Sequence, residues 1–284
     1  MQKKIIMSFA KSKDIKDHVN AYIKVHSSAF TNKHVVDLPA GTGITSKTLK
    51  DTGAQVSAFD LFPEFFKTNG LSCSYADIMD KIPLENNKAD WIICQEGIEH
   101  FENQFQALKE FNRVLKPNGK LIVTTPNYSN LRSKFSYLIS ESEYFSKFMS
   151  PNELDSIWLT QKGDERIYFG HIFLIGIQHL RCLAALSGFK IKNVHRVRTN
   201  KTSVWLLPIF YPFIYLFNWM VYKKAINKAT NQDAINIYKE IFKLNTSISI
   251  LTDSHLFVEL EKVCELNEVS SQLKGKLPDF NTLT

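Results

Sequence analysis

Asp37 and Asp60 stand 23 residues apart, and Pro39-Ala40-Gly41-Thr42-Gly43 lies between them. Glycines in a loop that leaves a strand and opens a helix let the backbone approach a ligand closely, and the helix start offers unpaired N–H groups. An acid ending the following strand can accept hydrogen bonds from two ribose hydroxyls. A Gly-x-Gly pair alone is common by chance. The same loop followed at this distance by a strand-ending acid points much more firmly to a nucleotide site.

The kind of nucleotide follows from two side chains. A dinucleotide loop wants a third glycine where this chain has Ser46, because that glycine eases helix–strand packing around a pyrophosphate. Asp37, just before the loop, would repel a pyrophosphate and suit a cationic ligand that carries an amino group and a sulfonium. S-adenosylmethionine fits that description and NAD fits poorly.

The elements that must position these groups alternate in kind. A short leading helix is expected from Ile15, Val19, Tyr22 and Ile23 at helical spacing. His34–Leu38 reads as a first strand, and the helix after the loop is expected to be capped by Thr45 or Ser46 and to stop near Gly53. Gln55–Asp60, Cys73–Asp77 and Asp90–Cys94 read as further strands. A helix with Phe101, Phe105, Leu108, Phe111 and Leu115 on one face follows, and Pro117-Asn118-Gly119 turns the chain into a fifth strand, Lys120–Thr125. Strand–helix alternation of this kind implies a doubly wound, mostly parallel α/β sheet with right-handed crossovers, and ligands in such sheets bind outside the carboxyl ends of the strands.

Val36–Gly43, Asp60, Asp77-Ile78, Gln95-Glu96-Gly97-Ile98-Glu99-His100 and Arg113–Gly119 together resemble the class I S-adenosylmethionine-dependent methyltransferases, closely over residues 30–127 and more loosely, through His171-Ile172 and Ser187-Gly188-Phe189, to about residue 195. The resemblance implies a Rossmann-like methyltransferase fold with S-adenosylmethionine as cofactor. It puts Gly41 and Gly43 under the methionine part, Asp37 at its amino group directly or through water, and Asp60 on the ribose. Leu61 and Phe62 would wall the adenine, Asp77 and Ile78 would read its amino group, and Gln95 and Glu96 would lie beside the methyl donor. Pro39 departs from the family pattern, which often has a glycine there. Proline keeps the carbonyl but lacks the N–H. The motif set and the long insert before a His-Ile segment resemble methyltransferases of bacterial surface-polysaccharide and quinone pathways.

Methyl transfer depends mainly on alignment of the reacting atoms, and a hydroxyl acceptor also benefits from a base whereas a carboxylate needs none. His100, where the helix after the fourth strand begins, and His171, after Gly170, are the candidate bases. His179 and His195 are expected to be structural or on the surface. Residues 128–170, rich in aromatics, are long for a plain loop and are read as a substrate lid, with an inert helical decoration as the alternative, and Asn127 and Arg166 are expected to face substrate.

The composition excludes wholesale disorder, since 21 Phe, 10 Tyr and 4 Trp can build a large core. Four scattered cysteines without a Cys-x-x-Cys pair argue against disulfides and zinc fingers, so no metal site is expected and a reducing compartment is. Lys3 and Lys4 precede too few apolar residues for a secretory signal. The net charge of +7 has one source: Arg166–Gln232 holds ten Lys or Arg and no acid. Within it, Val204–Tyr222 is 19 uncharged residues, eight of them aromatic, bracketed by Arg196, Arg198 and Lys201 and by Lys223, Lys224 and Lys228.

That is the composition of an interfacial anchor. Pro208, Pro212 and Asn218 argue against a plain membrane span. Phe189–Val197 and His255–Leu260 are expected to pair antiparallel, so an insertion at 201–250 would have both ends on one side of any membrane. The division expected is thus a leading helix (1–30), a cofactor-binding core (31–127), a lid (128–170), the remainder of the core (171–200 and 251–264), the hydrophobic and basic insertion (201–250) and a frayed tail (265–284). The function expected is O-methylation of a sugar, lipid-linked or other small acceptor, by a cytoplasmic protein held at the inner face of an anionic membrane through residues 201–228. The alternatives for the apolar segment are a homodimer contact or substrate-covering element, or an aromatic core helix. DNA is not an expected partner, and RNA ranks lower because the basic residues bracket an apolar run rather than interleave with aromatics. The non-enzymatic alternative is a scaffold that keeps the fold.

Overall fold

The computed structural model describes residues 14–142, 150–159 and 167–274. Helix α1 (Ile15–Val25) opens them, its first turn closed by the Asp14 carboxylate, which accepts from the Lys16 N–H. The strands of the main sheet are β1 (His34–Asp37), β2 (Gln55–Asp60), β3 (Cys73–Tyr75), β4 (Ala89–Gln95), β5 (Leu115–Pro126), β8 (Phe189–Val194) and β9 (His255–Lys262), with β6 (Ile157–Leu159) and β7 (Ile167–Phe169) forming a separate hairpin. Helices α2 (Ile44–Asp51) and α3 (Gln104–Val114) cross between parallel strands. Then come α4 (Leu131–Ser140), α5 (Glu153–Ser156), α6 (Ile177–Leu186), α7 (Lys201–Ile226), α8 (Gln232–Asn245), α9 (Ile248–Thr252) and α10 (Leu266–Lys274).

The sheet order is β3-β2-β1-β4-β5-β9-β8. Strands β1 to β5 run parallel, and β9 is antiparallel to both β5 and β8. Successive residues in these strands bury on opposite faces: Val36, Ile92 and Val123 join one apolar cluster, and Val35, Trp91 and Ile122 join the other. Central strands buried on both faces read as continuous apolar runs, and that is why Val35-Val36 and Trp91-Ile92-Ile93-Cys94 show no alternation. Helix α1 covers one face with Val19, Tyr22 and Ile23; α3 and α6 cover the other with Leu108, Phe111 and Leu180. Each such side chain stabilises the fold by about 1.5–3 kcal/mol relative to exposure.

Several local expectations are corrected. Helix α2 is capped by Gly43, in the left-handed region at φ 83°, with no side-chain cap, because Thr45 and Ser46 lie inside the first turn and bond elsewhere. Its buried surroundings also require glycine at 43: an added Cβ would come within 2.5 Å of the Phe66 ring. Pro117–Gly119 stays within β5 as a bulge opposite Ala89–Trp91, with Asn118 at φ 61°. The buried face of α3 is Ala107, Leu108, Phe111 and Val114, while Phe105 stays part-exposed under the Lys109 ammonium. Within the expected tail, residues 266–274 form α10, which buries Val269.

The segment between β8 and β9 is a helical hairpin. Thr199 bridges to Asp253 and the Asn200 N–H donates to the Thr252 carbonyl at 2.7 Å, so the chain leaves and rejoins the sheet at adjacent points. Helix α7 is held to α4 by Ser203, whose buried hydroxyl accepts from the Arg132 N–H at 3.0 Å. One stripe of α7 packs on α8: Tyr222 stacks on Phe242 at 5.2 Å, Tyr215 meets the same ring edge-on, and Asn218 accepts from Asn245 at 2.8 Å. This last bond explains an amide in an otherwise apolar run. Pro208 and Pro212 sit inside the helix, where each leaves one carbonyl of the preceding turn without its N–H donor. The opposite stripe, Trp205, Ile209, Phe213, Leu216, Phe217 and Met220, is exposed.

Candidate active site

The carboxyl ends of β1, β2, β3 and β4 open onto a cleft of about 500 Å³. Asp60 ends β2, where its two oxygens accept from the Gly41 N–H at 2.7 Å and the Phe62 N–H at 2.8 Å. Each oxygen keeps a second lone pair, so the carboxylate shapes the glycine loop and can still receive ligand hydroxyls. Gly41 has φ 52°, and a Cβ there would point into open space, the arrangement expected where a ligand approaches the backbone. Asp77 follows β3 and accepts from the Met79 N–H at 2.9 Å, which turns Ile78 and Met79 into the cleft wall opposite Leu61 and Phe62. Tyr168 of β7 meets Phe62 edge-on at 4.7 Å, closing one side.

Pro39, Asp60, Leu61, Phe62, Asp77, Ile78, Glu96 and His100 line one cleft. The Leu38–Pro39 peptide is cis, and Pro39 packs directly against Gly97. Three expected contacts are placed otherwise. Asp37 is 1% exposed beneath the loop, where Ser46 donates to it at 2.5 Å; burial pushes its carboxyl up to about 7, the Ser46 bond partly opposing. It organises the loop from behind rather than facing the cleft. Gln95 is buried and accepts from the Thr45 hydroxyl at 2.9 Å. Asn127 does not face substrate: its buried amide donates to the Ile250 and Asp253 carbonyls, each at 2.8 Å, and its oxygen accepts from the Ser129 N–H. Arg166 lies outside the described residues.

The two candidate histidines come together across 71 positions of sequence. Their ring centroids are 5.0 Å apart. The Nδ1 of His100 lies 3.0 Å and 3.1 Å from the Phe169 and Gly170 carbonyls, so Nδ1 carries a proton and donates to them. Beside them Glu99 is fully buried, and burial, then the neighbouring Glu96 charge, pushes its carboxyl up to about 8.

Glu96, at the end of β4, takes φ 50°, a left-handed conformation uncommon for a non-glycine residue and frequent at functional positions. Its carboxylate accepts from the Thr124 hydroxyl at 3.0 Å and lies 3.4 Å from His255 Nε2. Sequence reasoning missed His255 because it opens β9, 159 residues after Glu96, and only the reversed strand brings it to the cleft edge. Glu99 was missed as a site group for want of any visible partner nearby in sequence.

A sheet of this order with one reversed strand, a glycine loop after β1 and acids ending β2 and following β3 defines a class I S-adenosylmethionine-dependent methyltransferase domain. The donor set fits the cofactor: Asp60 for ribose hydroxyls, Asp77 for the adenine amino group, Leu61, Phe62, Ile78 and Met79 for the ring, and the open backbone at Gly41 for the methionine part. Residues 36–123 match a family model described as a methyltransferase domain.

A ubiquinone biosynthesis O-methyltransferase of Rickettsia typhi is 28% identical over 158 residues, covering 50% of this chain and 64% of that protein. One from Xanthomonas oryzae pv. oryzae is 29% identical over 124 residues, covering 40% and 51%. The aligned stretch thus spans between 51% and 64% of the length of these two relatives. Among solved structures, a SAM-dependent methyltransferase from Archaeoglobus fulgidus overlays with a TM-score of 0.49 at 12% identity, covering 90% of this chain and 99% of that one.

Proposed function

We propose that this chain is an S-adenosylmethionine-dependent O-methyltransferase acting on a hydroxyl of a lipid-linked acceptor, at the cytoplasmic surface of an anionic membrane. One observation carries the membrane reading. Because β9 is antiparallel to both neighbours, β8 runs parallel to β5, and α7 leaves the sheet at the same edge as the cleft. Helix α7, whose outer aromatic stripe is exposed, thus begins at the end of the sheet onto which the cleft opens. Lys201, Lys223, Lys224 and Lys228 bracket it, and Lys223 lies 5.9 Å from the Trp219 ring centre. Arg196 is less available, since it forms a two-bond pair with Asp253. An apolar face edged by lysines suits an anionic headgroup layer. Both ends of the insertion meet at Thr199 and Asp253, which is compatible with a surface-lying or re-entrant hairpin and not with a single crossing.

Bound S-adenosylmethionine supplies an activated methyl group. The chain's own residues hold the acceptor oxygen beside His100 and His171, exclude water with Phe101, Tyr168 and Phe169, and receive the hydroxyl proton at the Glu96–His255 pair. The O-methyltransferase names of the relatives support oxygen as the acceptor atom.

The test is transfer of tritiated methyl from S-adenosylmethionine to a bacterial lipid extract, followed by phase partition and mild alkali. Label in the organic phase that survives alkali, as an ether does, is expected. Glu96→Gln should lower the rate by about 100-fold, the usual size for loss of a proton acceptor. Label confined to water-soluble products would contradict the lipid-linked acceptor, and absent transfer with intact S-adenosylhomocysteine binding would favour the scaffold.

A further inference from the structure

We propose that Glu110 and Arg113, near the end of α3, form a clamp that sets the adenine selectivity of the cofactor cleft from outside it. The inference rests on the cofactor's place in the cleft and on nothing about the acceptor or the membrane.

The segment 76–88 carries Asp77, Ile78 and Met79 into the cleft wall and joins β3 to β4 without a helix. Strand pairing ends at Tyr75, and the Ala76 N–H donates to the Asp60 carbonyl at 3.0 Å. Beyond that point the segment leaves the ladder, so its buried backbone groups must be satisfied by other means. Two tight turns shape it: the Asp80 N–H reaches the Asp77 carbonyl at 3.1 Å, and the Leu84 N–H reaches the Ile82 carbonyl at 2.7 Å. Both bonds are internal and attach the segment to nothing else.

The attachment comes from α3. Glu110 Oε1 accepts from the Ile82 N–H at 2.7 Å. The Arg113 guanidinium donates to the Ile82 carbonyl at 3.0 Å and, at 2.8 Å each, to the Leu84 carbonyl and the Asn86 side-chain oxygen. The two side chains also bond each other twice, Nε to Oε2 at 2.8 Å and Nη2 to Oε1 at 2.5 Å. One ion pair thus holds both polar backbone groups of Ile82. The carbonyls of Arg113 and Val114 receive the Asn87 and Lys88 N–H groups at 2.9 Å each, which fixes the far end of the segment. Ile82 is fully buried in the same apolar cluster as Ile78, with Met79 packed against it, so fixing Ile82 fixes where Asp77, Ile78 and Met79 stand. Glu110 and Arg113 are not among the residues that line the cleft, and they act through this segment as positioning residues. A planar fork of donors can meet two carbonyls, an amide oxygen and a carboxylate at once; a lysine ammonium, with its three donors at one point, cannot. In the sequence Arg113 stood only as the start of the stretch Arg113–Gly119, because its partners lie 27 to 31 positions earlier.

The experiment titrates the full chain calorimetrically with S-adenosylhomocysteine and with S-inosylhomocysteine, in which an oxygen replaces the adenine amino group. The parent should prefer the adenine ligand by about 10-fold or more, the size of one hydrogen bond to a charged group such as Asp77. Arg113→Lys keeps the charge beside Glu110 and loses the fork. It should weaken S-adenosylhomocysteine by about 10-fold and the inosine ligand by no more than about twofold, so that the preference disappears. Hydrogen exchange on the parent gives a readout that needs no variant: the Ile82 amide should exchange slowly even without ligand, since Glu110 holds it. An unchanged preference in Arg113→Lys, equal weakening of both ligands, or an Ile82 amide that exchanges like an exposed one would overturn the proposal. A parent that binds both ligands equally would keep the cofactor site and overturn the clamp, whereas a parent that binds neither would reject the cofactor site and the clamp with it.

Discussion

Replacing Trp205 and Phe213 together by Ser tests whether α7 meets a membrane. The two side chains are 80% and 71% exposed and lie two turns apart on the stripe that α8 leaves uncovered. Aromatic side chains bury roughly 150–250 Å² when covered, so at these exposures the pair offers on the order of 300 Å² to a partner. At about 25 cal/mol per Å², with half of that area reaching the acyl boundary, the pair contributes on the order of 4 kcal/mol to partitioning. Serine at two solvent-facing helix positions costs only a few tenths of a kcal/mol each in propensity, so the fold should persist. The assay is co-sedimentation with anionic and neutral vesicles at low and high salt. The parent should bind anionic vesicles, less so at high salt, and the double variant should bind two to three orders of magnitude more weakly with its melting temperature within a few degrees. A parent that binds neither vesicle, or a variant that binds within about threefold of it, would refute the reasoning. Concentration-dependent dimerisation lost in the same variant would identify a second copy of the chain as the partner instead.

Two predictions concern what holds the site in place. Glu259 of β9 receives Lys120 at 2.9 Å, and His195 and the Tyr22 hydroxyl each at 3.3 Å, which ties α1 and β8 to the sheet. Burial would raise its carboxyl, but the hydrogen bonds from His195 and Lys120 outweigh this and hold it down to about 2. A depressed folded value stabilises above the unfolded carboxyl range and is lost as pH falls toward the folded one, so this group contributes about 3 kcal/mol at neutral pH that vanishes between about pH 5 and 2. Urea unfolding should show Glu259→Gln less stable than the parent at pH 6, with the gap closing on acidification; a gap independent of pH would contradict this. Lys262 is 1% exposed, and its ammonium donates to the Asn112 and Leu115 carbonyls and to Asn87, and pairs with Glu265 at 2.8 Å. Lys262→Ala should cost about 3–5 kcal/mol by leaving those acceptors buried, and a loss under about 1 kcal/mol by denaturant titration would count against it.

What the sequence revealed and what it hid divide along a physical line. Asp60 and Asp77 were legible because a strand end, a turn and an acid are neighbours in the chain, and the parallel sheet then aligns all such ends at one edge. Asp37 was legible as a loop residue but not as a buried one, because its partner Ser46 also looked like a helix cap. Asn127 was misplaced since its partners, Ile250 and Asp253, come from the far side of a 50-residue insertion that no local pattern could bring back. His255 and the pairing of His171 with His100 were beyond reach for the same reason: a reversed strand and the segment that follows β7 set them. The apolar segment 204–222 was visible as composition, whereas the stripe that α8 covers and the stripe it leaves bare depend on the tertiary contact alone.

The central claim is that the cleft at the ends of β1 to β4 holds the methyl donor, and calorimetric titration with S-adenosylhomocysteine tests it most directly. The parent should bind one equivalent. Asp60→Ala removes the carboxylate that tethers Gly41 and Phe62 and would receive the ribose hydroxyls, where each charge-assisted bond is worth about 1.5–3 kcal/mol, so binding should weaken by about 100-fold or more. No heat from the parent at millimolar ligand, or equal affinity in the variant, would contradict the account.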